Sequence, residues 1–156
     1  MRERVDLETS IPSYLTARPS RDLISAAHRE LTREWWEHHR HKYDLFVSGL
    51  VLEEISLGDP DAARRRIDVL AGIQVLEESI DAKSLAKTFV AETLMPKNAG
   101  DDAMHVAIAT LQRMDFLLTW NCRHIANAAI LKRLEIRCAK LGYTLPRLCT
   151  PEQLMG

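Results

Sequence analysis

Cysteine is scarce in this chain of 156 residues, and its three cysteines lack the spacing of a metal site. Cys122, Cys138 and Cys149 are odd in number and form no CxxC pair, so a structural zinc site has no support. Reduced structural thiols in a cytosolic protein are the simplest interpretation. We therefore expect a cytoplasmic location.

Long hydrophobic runs and an apolar leader are also missing. The longest mainly apolar runs span about eight residues, whereas a helix that crosses a bilayer needs roughly 20. The chain begins MRERVDLE, which is charged where a signal peptide is apolar. We expect no membrane partner and no targeting segment.

Neither an excess of one charge nor a standard nucleophile or phosphate motif is present. The net charge of −1 argues against a protein that coats nucleic acid by bulk charge, although a local basic patch stays open. No serine lies in a GxSxG elbow, and no glycine-rich phosphate loop or dinucleotide fingerprint occurs. These absences argue against a serine hydrolase and against a doubly wound domain for a small phosphorylated ligand.

The chain does contain short apolar segments that alternate with helical patterns. Its length and its 46% apolar content fit a single globular domain over residues 1–156. Strands are predicted at residues 4–7, 45–48, 73–76 and 116–119, with a short edge strand at 147–149. Helical patterns separate them, including a long stretch after the fourth strand that ends at residue 141. Thr9, Ser10 and Pro12 predict a turn after the first strand, Asp59 and Pro60 predict a helix start, and Asp101 is expected to cap the helix before the fourth strand. This alternation predicts an α/β fold with a parallel sheet that is covered on both faces.

Acidic or amide side chains follow several of these elements. Glu8 follows the first strand, Glu53 and Glu54 lie in the helix after the second, and Asn121 follows the fourth. The pair Asp101–Asp102 begins the helix that leads to the fourth strand. Because parallel strands present their carboxyl ends at one edge, the fold could gather these oxygens. Hard divalent cations such as Mg²⁺ or Mn²⁺ bind such groups, so the pattern indicates a metal-dependent phosphodiesterase.

For two pairs of adjacent acidic residues, spacing alone does not decide which member belongs to the site. Glu53 and Glu54 diverge by about 100° on a helix, so only one of them can face a site. Asp101 and Asp102 stand where a helix cap or the helix dipole also favours an acid.

Three other features have ordinary interpretations. His105, one turn after the aspartate pair, could contact either aspartate and is expected to be a buried, hydrogen-bonded histidine rather than a ligand. Asp6 is expected to be solvated or paired with Arg2 or Arg4 near the chain start. The basic cluster at residues 38–42 is expected to be a solvated helix end, although contact with phosphates stays open.

Four motifs in register resemble a known family. They are ETS after the first strand, S-x5-E-I-x2-G from Ser48 to Gly58, D-A-x-H-x-A from Asp102 to Ala107, and LLTWN from Leu117 to Asn121. Over residues 4–150 the chain resembles the PIN-domain nucleases, in particular the VapC-like toxins of bacterial toxin–antitoxin pairs. The resemblance implies a three-layer α/β/α sandwich with a mainly parallel sheet of four to five strands.

The resemblance also implies the site. The four catalytic positions would be Glu8, where the family more often has Asp, then Glu54, Asp102 and Asn121. Glu8, Glu54 and Asp102 would bind Mg²⁺ or Mn²⁺. Supporting groups would come from Thr9, Ser10, Asp101 and Thr119. The activity would be endoribonuclease, and the partners would be RNA, a small antitoxin and a second copy of the chain.

Asn121 departs from the family pattern, which often has Asp at this position. An amide oxygen can still bind a metal or hold its water, but it attracts a cation less than a carboxylate does. Three carboxylates are expected to hold one metal well and a second only weakly, unless Asp101 or Asp6 compensates. The alternative is a catalytically weak or inactive PIN-like module that binds protein or RNA.

Overall fold

The computed structural model describes residues 1–156 and contains one parallel sheet of five strands. The strands are β1 (Arg4–Leu7), β2 (Asp44–Ser48), β3 (Gln74–Leu76), β4 (Phe116–Leu118) and β5 (Arg147–Cys149). Their order is β3-β2-β1-β4-β5, and every neighbouring pair is parallel. The predicted parallel sheet is therefore confirmed.

Seven α-helices connect and cover the strands. They are α1 (Ser10–Leu15), α2 (Leu23–His38), α3 (Gly49–Ile55), α4 (Pro60–Val69), α5 (Ile80–Ala91), α6 (Gly100–Leu111) and α7 (Ala128–Lys140). Short 3-10 helices occupy Arg40–Lys42 and Pro151–Leu154. No helix combines the length and the apolar character that a bilayer span requires.

Side-chain caps explain where several helices begin. Asp59 accepts the Ala62 N–H at 2.9 Å and Pro60 takes the first helical position, as the sequence predicts. Ser48 caps α3 in the same way and accepts the Val51 N–H at 3.2 Å. Because Ser48 is also the last residue of β2, this cap fixes how α3 leaves the sheet.

The sheet separates two hydrophobic cores. On one face, Val5 and Leu7 of β1 pack with Ile11, Trp35 and Val51 from the helices α1 to α3. The other face carries Phe46 and Leu117, which pack with residues of α5, α6 and α7 such as Phe89, Val106 and Leu134. Buried apolar side chains on both faces confirm the three-layer α/β/α arrangement.

Three local predictions were wrong. Residues 9–12 were expected to be turn punctuation, yet Ser10 begins α1, which is anchored by the buried side chains of Ile11 and Pro12. The predicted long helix after β4 begins only at Ala128, after a turn that Asn127 closes as N-cap. Asp101 does not cap α6, because the helix already begins at Gly100 and has no side-chain cap. Tertiary packing decided these boundaries.

The strand order reverses at the centre of the sheet. From β1 the chain passes to β2 and β3 on one side, and it then returns to build β4 and β5 on the other. Ligands of open α/β sheets bind outside the carboxyl ends of the strands at such a reversal. The ends of β1 and β4 therefore define the edge where a site is expected.

Candidate metal centre

Glu8 is held in place directly after β1. Its N–H donates to the Leu118 carbonyl at 3.0 Å, so the backbone stays in the sheet for one more residue. Its carboxylate Oε1 accepts the Ser10 N–H at 3.0 Å, the Thr119 hydroxyl at 2.7 Å and the Ser10 hydroxyl. The Oε2 atom takes part in none of these bonds. Although Glu8 is only 6% exposed, one carboxylate oxygen is thus left for a ligand.

Glu54 reaches the same place from α3. Its Oε1 atom accepts a hydrogen bond from the Thr9 hydroxyl and lies 2.7 Å from Nε2 of His105 on α6. Its Oε2 atom has no part in these contacts. The neighbouring Glu53 is exposed and has no such partners. Of the two adjacent glutamates, the structure therefore brings Glu54 to the site.

Three side chains converge at this edge. Ligand atoms of Glu8, Glu54 and His105 all lie within 4.8 Å of one another. His105 is buried, as the sequence predicts, but its partner is Glu54 rather than Asp101 or Asp102. The His105 ring therefore connects α6 to Glu54 on α3 and not to the aspartates at the start of its own helix.

Electrostatic coupling within the cluster shifts two pKa values. Burial alone lowers the pKa of His105, but the hydrogen bond to Glu54 and the negative charges of Glu8, Glu54 and Asp6 outweigh it and raise this pKa. Burial alone raises the pKa of Glu54, but hydrogen bonds from His105 and Thr9 outweigh it and lower this pKa. Both shifts favour a charged histidine beside a charged carboxylate in the metal-free protein.

Asp6 lies below the cluster in an unusual setting. It alternates with Val5 and Leu7, so it shares the face of β1 with Glu8, and its register partners Phe46 and Leu117 flank it. The side chain is 2% exposed, and its Oδ1 atom is buried without a hydrogen-bond partner. Burial raises the pKa of Asp6 to about 7, a rise that the charge of Glu8 reinforces and that of His105 opposes.

The expectation that Asp6 is solvated or salt-bridged was wrong. No ion pair joins Asp6 to Arg2 or Arg4. Arg4 instead donates to the Gln112 carbonyl at 3.0 Å and places its guanidinium 4.7 Å above the Phe46 ring. Alternation along β1 turns Asp6 toward the interior. Arg4 lies on the same face, but its guanidinium is engaged by Gln112 and Phe46 and forms no ion pair with Asp6.

Asp102 and Asn121 form a second group around His124. Nδ1 of His124 donates to Oδ2 of Asp102 at 2.9 Å, while its backbone N–H donates to Oδ1 of Asn121 at 3.0 Å. The Asn121 N–H donates to the Thr119 hydroxyl at 2.9 Å, which links this group to Glu8. Asn121, the fourth position implied by the resemblance, thus acts here as a turn cap, and its amide oxygen already accepts a hydrogen bond.

His124 was not found from the sequence. The available signal was its spacing of three residues after Asn121, which lets an amide side chain cap a turn. That signal was hidden because residues 121–127 were assigned to a helix. Asp101 lies in the first turn of α6 and is exposed, apart from both groups.

The donor set fits a divalent cation. Glu8 and Glu54 each use one oxygen for hydrogen bonds and keep the other free, which is the arrangement of carboxylate ligands oriented by neighbouring groups. The buried carboxyl of Asp6 lies on the same face of β1 as Glu8, and with its pKa raised to about 7 it can gain or lose a proton near neutral pH. Such a set suits Mg²⁺ or Mn²⁺.

The basic cluster at residues 38–42 lies at the opposite edge of the sheet. It precedes β2, whereas the site follows β1 and β4. Lys42 donates to the Gly156 carbonyl at 2.8 Å, and the Arg40 guanidinium lies 4.5 Å above the Trp36 ring. The segment that leads into α6 carries Lys97, and the turn after β4 carries Arg123.

Comparison with known proteins gives similarity in structure but not in sequence. The sequence matches no protein-family model and no curated protein. The fold is similar to VapBC2 from Rickettsia felis, solved with a DNA fragment from its promoter, with a TM-score of 0.58 at 16% identity over 94% of this chain and 96% of that one. It is also similar to VapC20 from Mycobacterium tuberculosis, a toxin that cleaves the sarcin-ricin loop, with a TM-score of 0.60 at 14% identity over 76% and 91%. The chain therefore has the fold of the VapC PIN-domain toxins that its four motifs resemble.

Proposed function

We propose that this protein is a divalent-metal-dependent endoribonuclease and the toxin of a toxin–antitoxin pair. The observation that carries the proposal is the convergence of Glu8 and Glu54, each with a free carboxylate oxygen, at the carboxyl edge of the sheet. VapC20, a toxin that cleaves the sarcin-ricin loop of RNA, shares this fold. We also propose that residues 1–156 form one domain, which acts on RNA in the cytoplasm.

The residues have distinct roles in this proposal. Glu8 and Glu54 would hold Mg²⁺ or Mn²⁺, and Asp102 would contribute through a bound water because it lies in the neighbouring group around His124. When bound, the metal would lower the pKa of a water and neutralise charge that develops on the scissile phosphate. Hydroxyls of Thr9, Ser10 and Thr119 fix the carboxylates in place.

Substrate and protein contacts would come from nearby surfaces. Lys97 and Arg123 lie in the segments that border the site, and we propose that they contact phosphates on either side of the cleaved bond. Large apolar side chains that are exposed on α2 and α4, including Leu23, Ile24 and Ile67, are available to a small antitoxin or a second copy of the chain.

The adjacent glutamates supply a matched test. Purified protein is incubated with structured RNA and Mn²⁺, with EDTA as the metal-free reference. Glu54→Gln is expected to lower cleavage by at least about 10²-fold, because a ligand that binds the metal is lost. Glu53→Gln is expected to keep wild-type activity, since this side chain is exposed.

The aspartate pair provides a second comparison of the same kind. Asp102→Asn is expected to slow cleavage by about tenfold or more, while Asp101→Asn leaves it unchanged. If wild-type protein cleaves no RNA in Mn²⁺, or if all four variants cleave equally, the nuclease proposal is wrong.

One observation favours a second candidate function. Asn121 carries no charge, and its amide oxygen is occupied by the His124 N–H. This would suit a PIN-like module that binds RNA or protein without cleaving it. Titration calorimetry distinguishes the two, because a module without a metal centre should release no binding heat with millimolar Mn²⁺.

A further inference from the structure

His105 lies among the atoms of the proposed metal centre. Its Nε2 atom lies 2.7 Å from Glu54 Oε1, and both atoms lie within 4.8 Å of a Glu8 carboxylate oxygen. Two ligands on adjacent positions of one ion, each bound at about 2.1 Å, are roughly 3 Å apart. The observed separation is already close to that of two ligands of the same cation.

The surroundings of His105 fit a metal ligand as well. Histidines that bind metals commonly donate their second ring N–H to a carboxylate. Asp6 is a buried carboxyl on the same face of β1 as Glu8, and its Oδ1 atom has no hydrogen-bond partner, so His105 does not donate to this atom in the metal-free protein. An unpaired acceptor of this kind is costly in an apolar interior unless a partner reaches it.

We propose that His105 Nε2 is a direct metal ligand alongside Glu8 and Glu54, so that the centre has mixed nitrogen and oxygen coordination. The proton that Nε2 now donates to Glu54 would pass to solvent on ion binding, since only the deprotonated nitrogen is a ligand, and Oε1 of Glu54 would then lose its hydrogen bond from His105. Imidazole suits first-row transition metals better than Mg²⁺. The site therefore discriminates in favour of transition metals such as Mn²⁺ over Mg²⁺. This inference rests on the proposed metal centre but not on RNA cleavage.

Pulsed electron paramagnetic resonance of bound Mn²⁺ tests the ligand directly. A nitrogen bound to Mn²⁺ gives ¹⁴N modulation, which a purely oxygen-coordinated ion lacks. Wild-type protein with Mn²⁺ alone is expected to show this modulation. His124→Gln is the matched control, because His124 is the other histidine of the site and contacts Asp102 instead. The signal is expected to persist in His124→Gln and to disappear in His105→Gln.

Metal affinities supply the second readout. His105→Gln is expected to weaken Mn²⁺ binding by at least about tenfold and Mg²⁺ binding by less than about threefold, so that selectivity falls. If His105 only positioned Glu54, both affinities would fall together and no ¹⁴N modulation would appear.

Each contrary result has a separate meaning. Bound Mn²⁺ without ¹⁴N modulation overturns the ligand role of His105 and leaves the nuclease proposal intact. Loss of the modulation in His124→Gln assigns the nitrogen to His124 and likewise overturns it. Absence of any Mn²⁺ binding overturns the metal centre itself. If His105→Gln does not fold, the wild-type and His124→Gln spectra still decide.

Discussion

Nε2 of His105 donates a hydrogen bond of 2.7 Å to Oε1 of Glu54 and so joins α6 to α3 across the carboxyl edge of the sheet. The two residues are 51 positions apart in the chain. The hydrogen bond fixes one oxygen of Glu54 and turns the carboxylate so that its second oxygen stays available. The same contact couples the protonation of the site to the stability of the fold.

This pair should give a stability contribution that depends on pH. Because the pKa of His105 is raised above its ordinary value of 6.5, its contribution to folding stability is complete below pH 6.5. This contribution is lost as the pH rises through the raised pKa. Because the pKa of Glu54 is lowered below its ordinary value of 4.5, its contribution to folding stability is complete above pH 4.5. This contribution is lost as the pH falls through the lowered pKa. The free energy of unfolding of the wild type minus that of Glu54→Gln should therefore be largest between these values.

Denaturant titrations in EDTA from pH 4 to 9 would measure that difference. Glu53→Gln serves as the reference substitution, since Glu53 is exposed and lacks these partners. A Glu54→Gln difference that stays constant over the whole range would contradict the coupling.

Asp6 should make the protein less stable as pH rises. Because burial raises its pKa from 3.8 to about 7, the folded state holds the proton more tightly than the unfolded state in this interval. Stability conferred by the neutral acid is therefore lost as pH rises toward 7. Asp6→Asn keeps a neutral side chain of similar shape and should be more stable than the wild type at pH 8, by on the order of 3 kcal/mol.

At pH 4 the Asp6→Asn variant should be no more stable than the wild type. Thermal unfolding in EDTA would measure the stability difference at pH 4 and at pH 8. Asp68, an exposed aspartate of α4, provides the control, and Asp68→Asn should change stability little at either pH. Equal effects of Asp6→Asn at pH 4 and pH 8 would mean that Asp6 does not hold its proton in the fold.

Asn121→Asp should strengthen metal binding without disturbing the turn. An aspartate oxygen can accept the His124 N–H as the amide oxygen does now, at 3.0 Å. The added charge lies near Asp102 and should raise the affinity for Mn²⁺ by about tenfold or more. Calorimetry would give both affinity and stoichiometry, and an unchanged affinity would show that position 121 lies outside the metal's reach.

Thr32 of α2 should stabilise the fold through its hydrogen bond with Trp120. The indole N–H of Trp120 donates to the Thr32 hydroxyl at 2.7 Å, and Thr32 is completely buried. Thr32→Val leaves this N–H without an acceptor and should cost about 1–3 kcal/mol in the free energy of unfolding. The His28 ring stacks on the indole at 3.9 Å, so Trp120 itself should remain in place.

Thr110→Val is the control for this substitution. Thr110 is also buried but only donates to the Val106 carbonyl within α6, so its loss should cost less. Urea denaturation followed by tryptophan fluorescence measures both variants. If Thr32→Val lowers the free energy of unfolding no more than Thr110→Val does, the hydrogen bond between Trp120 and Thr32 makes no particular contribution to stability.

Much of the fold could be predicted from local patterns. Caps such as Asp59 with Pro60 fix helix starts through contacts over three residues. The start of α7 could not be predicted, because the Asn121 side chain competes with the helix by capping a turn at His124. Helix α1 was missed for a related reason, since burial of Ile11 against the sheet outweighs the turn propensity of residues 9–12.

By itself the sequence determined the alternation of strands and helices, the parallel sheet, and the positions of Glu8 and of the pair Glu53–Glu54 after β1 and β2. These follow from hydrophobic periodicity and from the rule that parallel strands end at one edge. Only the tertiary structure decided the partners of these residues. It placed His105 against Glu54, sent Asp102 to His124, and buried Asp6 without a partner. Such contacts depend on how α6 packs over the sheet, across separations that no local spacing encodes.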